Sequence, residues 1–176
     1  MQLLRRMGRR VSVPLQAMIY RSRRMTVKVP RSGTHGTPFP RFLAGLGNRF
    51  IVRQFRRGGV RTLGGVSTLL LDTVGARTGE RRRSVLGYLE EGPESWLVIA
   101  SLGGASRHPA WLHNLAKQPD VTITLGSGRR VDVRAETLEG DQLDAAWARI
   151  AGEAPEYAKY RSKTDRDIPV LRLRQR

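Results

Sequence analysis

No cysteine occurs among the 176 residues. That excludes disulfides, thiolate nucleophiles and zinc or iron–sulfur sites ligated by Cys. It agrees with a reducing compartment. No aspartate or glutamate precedes Asp72: residues 1–71 carry 15 Lys and Arg and no acid. Residues 72–176 carry 17 basic and 15 acidic residues, a net of +2. The formal charge of +17 therefore belongs almost entirely to the N-terminal part. Such an arm seeks anionic lipid, nucleic acid or an anionic cofactor. No run of 18 apolar residues exists, so no segment predicts a membrane span. An apolar signal core is also missing. The Arg-rich, acid-free start imitates a transit peptide, but Gly and Pro interrupt any long amphipathic helix there. Aromatics make up only 6% of the chain. Those of the arm (Tyr20, Phe39, Phe42, Phe50, Phe55) do not interleave regularly with Arg as a base-stacking platform would, which disfavours nucleic acid as a partner. His108 and His113 lie five apart and do not share a helix face, so they make a poor metal pair. HExxH, Ser-His-Asp and paired-carboxylate patterns are all missing. Hydrolysis lacks a motif, and no metal site is expected.

What is present falls into two parts. Residues 1–60 read as a basic N-terminal extension and 61–176 as the folded domain. Little in residues 1–24 looks needed for a core, so translation starting at Met25 or Met18 rather than Met1 is an expectation. Met25 opens a Pro/Gly/Thr-rich stretch with little chance of regular structure. Residues 40–57 read as a helix with Pro at its first turn. Leu43, Leu46 and Phe50 form one stripe, and Arg49, Arg53 and Arg56 a neighbouring one. Two readings stand level: a membrane-surface helix, or a helix docked on the domain with a solvated Arg face. The first carries an expected peripheral contact at the inner face of the plasma membrane, in an otherwise cytoplasmic protein.

From Ser67 the pattern changes to short strands: 67–73, 84–90, 95–101, 121–125, 130–137 and 168–173. Helices are expected at 109–118, 140–151 and 155–160. Strands come in hairpins rather than in βαβ alternation. That predicts an α+β fold, a mainly antiparallel barrel of about six strands with peripheral helices.

The loop from Gly75 to Ser84 carries four arginines between two strands. Its glycines permit a sharp turn, Arg forks match phosphate or carboxylate, and Thr78 and Ser84 add hydroxyls. Neither a Walker loop nor G-x-G-x-x-G fits it. On spacing alone a solvated basic loop is the better reading. Tyr157 and Tyr160, three apart, share a face and can cover an aromatic cofactor, donate to a substrate or simply pack on the barrel. Ser101, Gly103 and Gly104 follow a strand and suit a ring edge or a plain loop. Trp111 and Asn114 sit three apart on a short helix, where a Trp is more often core than ligand. Asp165 and Arg166 suggest a cap and an ion pair where the last strand begins.

Taken in order, the segments are Thr73-Val74-Gly75-Ala76-Arg77-Thr78-Gly79, Arg82, Ala100-Ser101-x-Gly103-Gly104-Ala105, His108-Pro109-x-Trp111-x-x-Asn114-Leu115, Tyr157-x-x-Tyr160 and Thr164-Asp165-Arg166-x-Ile168-Pro169. Together they resemble the deazaflavin (F420)-dependent nitroreductase family of actinobacteria, split β-barrel oxidoreductases related to FMN-binding, pyridoxamine-phosphate-oxidase-like proteins. The resemblance spans about Leu63 to Leu173. It implies coenzyme F420, a deazaflavin with a phosphate and an oligoglutamate tail, and hydride transfer to a quinone, nitro or other electrophilic small molecule. Arg77, Thr78 and Arg82 would then hold phosphate and tail, with Gly79 and Ser84 beside them. Ser101 and nearby backbone, with Gly103, would face the ring system, and Trp111 and Asn114 would be further cofactor-binding residues. Tyr157, Tyr160 and Ser101 would serve the substrate. Departures are Leu102 for a frequent Lys, Gly87 for a frequent aromatic and Ala154 for a further Tyr. FMN or haem in the same barrel, and a lipid- or nucleic-acid-binding arm beside an idle barrel, are the alternatives.

Overall fold

The apolar run after Gly65 needs cover on both faces, and the fold supplies it. A computed structural model describes residues 27–39 and 41–176. The start-site expectation (Met1, Met18 or Met25) and the helix-opening role of Pro40 lie outside the described residues. Helix α1 is Arg41–Arg56, followed by strands β1 (Thr62–Leu63), β2 (Val66–Val74), β3 (Arg81–Glu90) and β4 (Ser95–Ile99). A 3-10 turn at Leu102–Gly104 leads to α2 (Ala110–Lys117), β5 (Asp120–Leu125) and β6 (Arg130–Thr137). Helices α3 (Asp141–Glu153) and α4 (Pro155–Lys159), a turn at Arg161–Lys163 and β7 (Val170–Gln175) complete the chain.

All pairings are antiparallel, in the order β1-β2-β3-β4-β7-β6-β5, and β5 returns to pair with β2. The result is a closed six-stranded barrel, β2 to β7, with β1 appended. Closure leaves the barrel strands no free edge.

Strand alternation explains the layers. Leu69 and Leu71 of β2, Trp96 and Val98 of β4, and Leu171 and Leu173 of β7 point into the barrel. Trp111, Leu112 and Leu115 of α2 join that cluster and plug it. The intervening residues face outward. Leu97, Ile99 and Val170 lie under Trp147 and Ile150 of α3 and Tyr157 of α4. Leu70 and Val85 lie under Phe55, with Ile51 and Val52 packed against them. Burial of each such side chain stabilises by about 1.5–3 kcal/mol. The continuous apolar pattern of β2 thus reflects a strand buried on both faces.

Helix α1 therefore docks on the β2–β3 hairpin, and the Nδ2 of Asn48 donates to the carbonyl of Arg83 at 2.7 Å. Its apolar contacts Ile51, Val52 and Phe55 are taken up by the barrel, while Phe50 stands 63% exposed. No helix among the described residues is long and apolar enough to cross a membrane.

One expectation is corrected. Strand β3 begins at Arg81, not Ser84, because Val74, Thr73 and Asp72 pair with Arg81, Arg82 and Arg83. Residues 27–39 lack regular elements, yet they are held against the barrel. Val27 is buried, and the Lys28 N–H donates to Thr137 Oγ1 at 2.9 Å.

Candidate active site

Once Arg81–Arg83 belong to a strand, the arginines divide between faces. Arg82 stands opposite Thr73, on the side that carries Leu69 and Leu71 inward. It leads toward the barrel mouth, and its guanidinium pairs with Glu80. Arg83 turns the other way, and its Nε reaches Asp72 at 2.8 Å. Ser84 is opposite Leu71 and half-buried. Arg77, Thr78 and Gly79 are exposed on the tight turn between β2 and β3. That turn closes through Gly75 N–H to the Glu80 carbonyl, 2.8 Å, and Gly79 N–H to the Gly75 carbonyl, 2.8 Å.

Helix α2 holds this turn from the inside. Asn114 is buried; its Nδ2 donates to Thr73 Oγ1 at 3.0 Å and its Oδ1 accepts the Ala76 N–H at 2.9 Å. Lys117 Nζ donates to the Ala76 carbonyl at 2.8 Å. Val74, Gly75, Gly79, Lys117 and Gln118 line a cleft of about 310 Å³. Trp111, one turn back from Asn114, is buried in the barrel core. A core Trp and an Asn bonded on both sides to protein fix the turn's position, and neither reaches the cleft lining.

The paired tyrosines lie at the other end of the same hairpin. Tyr157 is 6% exposed, and its hydroxyl donates to the Leu63 carbonyl at 3.4 Å. A Cβ on Gly87 would collide with that hydroxyl. The missing side chain at 87 is therefore what admits the Tyr157 phenol. Burial pushes its pKa up to about 12, with the neighbouring Tyr160 adding to the shift. Tyr160 is half-exposed and meets Tyr157 edge to face, centroids 5.8 Å apart. The ammonium of Lys163 lies 5.3 Å from the Tyr160 ring centroid. Gly87 pairs with Thr68 and Arg81 with Val74. Six residues of strand, about 20 Å, separate the phenols from the basic turn.

The turn after β4 completes that end. Leu102 has φ 45°, Gly103 φ 65° and Gly104 φ 79°. Gly103 and Gly104 take such angles freely, but Leu102, bulky and left-handed, stores strain. Gly104 abuts Lys163 and the carbonyl of Tyr160. Ser101 is buried, and its carbonyl accepts from Arg166 Nη2 at 2.7 Å.

Arg166 has partners that the sequence did not suggest. Its expected ion pair with Asp165 does not form. Asp165 turns to residues 34 and 35, while Arg166, 6% exposed, points inward. It donates to the carbonyls of Ala100, Ser101, Ala105 and Asp167 and faces Nδ1 of His108 at 3.2 Å. Burial, then the Arg166 charge, hold the His108 imidazole below its usual range. The neutral ring thus carries its proton on Nε2, toward the Arg31 carbonyl at 3.3 Å. The only cue was the strand-initiating Thr164-Asp165-Arg166 run, which does not say which way the guanidinium faces.

The fold is a helix-plugged antiparallel barrel, with a basic turn at one end of a hairpin and edge-to-face phenols at the other. The chain belongs to the F420H(2)-dependent quinone reductase family, whose profile matches residues 48–175. It is thereby an oxidoreductase. It is 39% identical over 123 residues to the F420H(2)-dependent quinone reductase of Mycobacterium tuberculosis strain H37Rv, covering 68% of this chain and 81% of that one. Among solved structures it is similar to an F420-H2 dependent reductase, FDR-A, with 34% identity, TM-score 0.54, and 60% and 92% of the two chains covered. A second, solved as a domain-swapped dimer, has 32% identity, TM-score 0.56, and coverage of 77% and 99%.

Proposed function

We propose that this protein reduces a quinone with the hydride of reduced coenzyme F420. The observation that carries the reading is the two-ended hairpin. Cationic groups gather at one end and phenols with a glycine-rich turn at the other, about 20 Å apart by strand rise. The donor set suits the cofactor. Arg77, Thr78, Arg82 and Lys117 offer guanidinium, hydroxyl and ammonium donors to phosphate and carboxylates. Ser84 extends this row along the inner face of β3, and Gly79 keeps the turn open beside the cleft.

When bound, the deazaflavin supplies the hydride; the protein supplies binding, orientation and exclusion of water. Ser101 and Gly103 are assigned to the ring edge. Tyr160, the half-exposed phenol, is assigned to the substrate, with Lys163 beside it to stabilise the oxyanion of a reduced quinone. Tyr157 supports Tyr160 and holds its proton throughout the working pH range. Trp111 and Asn114 act from behind, holding the turn in place. Nitroaromatic compounds and electrophilic alkenes present the same electron-poor acceptor and are the next substrates to assay.

A fluorescence titration with coenzyme F420 beside FMN tests the reading. Saturable F420 binding with turnover of a soluble quinone is expected; FMN binding without F420 binding overturns it. Because Arg77 and Arg82 are exposed, each is worth at most about 1 kcal/mol. The double variant Arg77→Ala, Arg82→Ala should weaken F420 binding about tenfold at low salt. The difference should shrink as ionic strength rises.

A further inference from the structure

The family match begins at residue 48, yet a segment before it is built into the ring end of the site. Residues Gly33–Thr37 form a strap across the turn after β4. The Thr34 N–H donates to both carboxylate oxygens of Asp165, 3.0 and 2.9 Å, its hydroxyl to Oδ2 at 2.6 Å, and the His35 N–H to Oδ1 at 3.2 Å. The Thr164 hydroxyl donates to the His35 carbonyl at 3.0 Å. On its other side the strap donates from Gly33 N–H to the Ser106 carbonyl, 2.8 Å, and from Thr37 N–H to the Gly104 carbonyl, 2.9 Å. The approach is so close that a Cβ on Gly36 would collide with the Ser106 nitrogen and crowd the Gly104 carbonyl.

The turn Leu102–Gly104, with its strained Leu102, is thus gripped from two directions. Arg166 takes the carbonyls of Ala100, Ser101 and Ala105 from within. The strap takes those of Gly104 and Ser106 from without. Strain of this kind persists only where the surroundings over-determine it. Asp165 follows closely on Tyr160 and Lys163, so one carboxylate links the strap to the segment assigned to the substrate.

We propose that the strap, latched by Asp165, is a positioning element of the site: it sets the shape of Leu102–Gly104 against the flat tricyclic ring. Its role rests on the F420 reading given above. Its assigned target is the ring, while the tail is assigned to Arg77, Arg82 and Lys117.

The test uses the full chain with Asp165→Ala, Asp165→Asn and, independently, Gly36→Ala. Asp165 is partly exposed, so folding survives its loss, and the Gly36 variant keeps the latch while opening the strap–turn contact. Two quantities are measured. One is the rate of tryptic cleavage after Arg31, which requires local release of the strap. The other is affinity for intact F420 and for the tail-less deazaflavin alcohol, by fluorescence. Cleavage should accelerate, and affinity for the tail-less compound should fall about tenfold. Asp165→Asn, which keeps one acceptor, should fall between. The ratio of F420 to tail-less affinity should stay at the wild-type value, whereas Arg77→Ala, Arg82→Ala should lower that ratio and leave cleavage unchanged. Unchanged cleavage, or faster cleavage with unchanged affinity for the tail-less compound, overturns the proposal. Wild-type protein that binds neither compound overturns the F420 reading instead, and the cleavage result still decides the latch.

Discussion

Arg166→Met removes five donated contacts while nearly keeping side-chain volume. The guanidinium is 6% exposed and has no carboxylate among its partners; four acceptors are backbone carbonyls and the fifth is His108 Nδ1. Burial lowers its pKa, but an arginine so placed remains charged. Each orphaned buried acceptor costs about 1 kcal/mol or more. The desolvation cost of the guanidinium is recovered on removal. The balance is a loss of about 3–4 kcal/mol, against a total of about 5–15 kcal/mol for a domain of this kind. With a urea slope of about 2 kcal/mol per molar, the unfolding midpoint should fall by about 1.5–2 M at unchanged slope. Arg166→Lys keeps the charge but not the fork, and should recover less than half of this. Urea titration followed by tryptophan fluorescence reads both. A shift below about 0.5 M for Arg166→Met would refute the reasoning, since it would mean that water satisfies those carbonyls as well as the guanidinium does.

Further outcomes follow from other contacts of the fold. The Tyr157 phenol, pushed up to about 12, stays neutral in the folded protein while its unfolded counterpart ionises near 10; stability should be flat to about pH 9 and decline between about 10 and 12, and Tyr157→Phe should flatten that decline in urea midpoints. The same variant should leave the pH profile of quinone reduction unchanged between about pH 6 and 9; a profile that moves makes Tyr157 a proton donor. His108 is held below its usual range, so the unfolded chain takes up the proton first as pH falls through about 6.5; stability should drop there, and His108→Gln should remove the drop. Phe55→Ala should cost about 3 kcal/mol by undocking α1, whereas Phe50→Ser should shift stability by less than about 0.5 kcal/mol.

The barrel was legible because its short strands come in hairpins separated by turn residues. Trp96, Val98 and Ala100 face the interior while Leu97 and Ile99 meet α3, a division that this unbroken apolar run does not reveal. The start of β3 was hidden because three arginines have low strand preference and sit where a hairpin end is solvated on both faces; cross-strand partners, not composition, decide it. The basic turn and the tyrosine pair were visible as residue types. Their placement at opposite ends of one hairpin needed the register. Residues 27–39 carried no signal at all, because their hydrogen bonds go to a distant carboxylate and to loop carbonyls, which impose no periodicity. Arg166 was visible but pointed the wrong way on paper: a neighbouring acid invites an ion pair, and only the packed turn shows five better acceptors.

The contact between Thr34 and Asp165 joins residues 131 positions apart. A growing polypeptide emerges from the ribosome at about 5–20 residues per second, so the early segment waits roughly 7 to 26 seconds for its partner. Throughout that interval the fastening has nothing to close on. The belt can be buckled only once β1 to β6 have been synthesised, with β7 alone still to come.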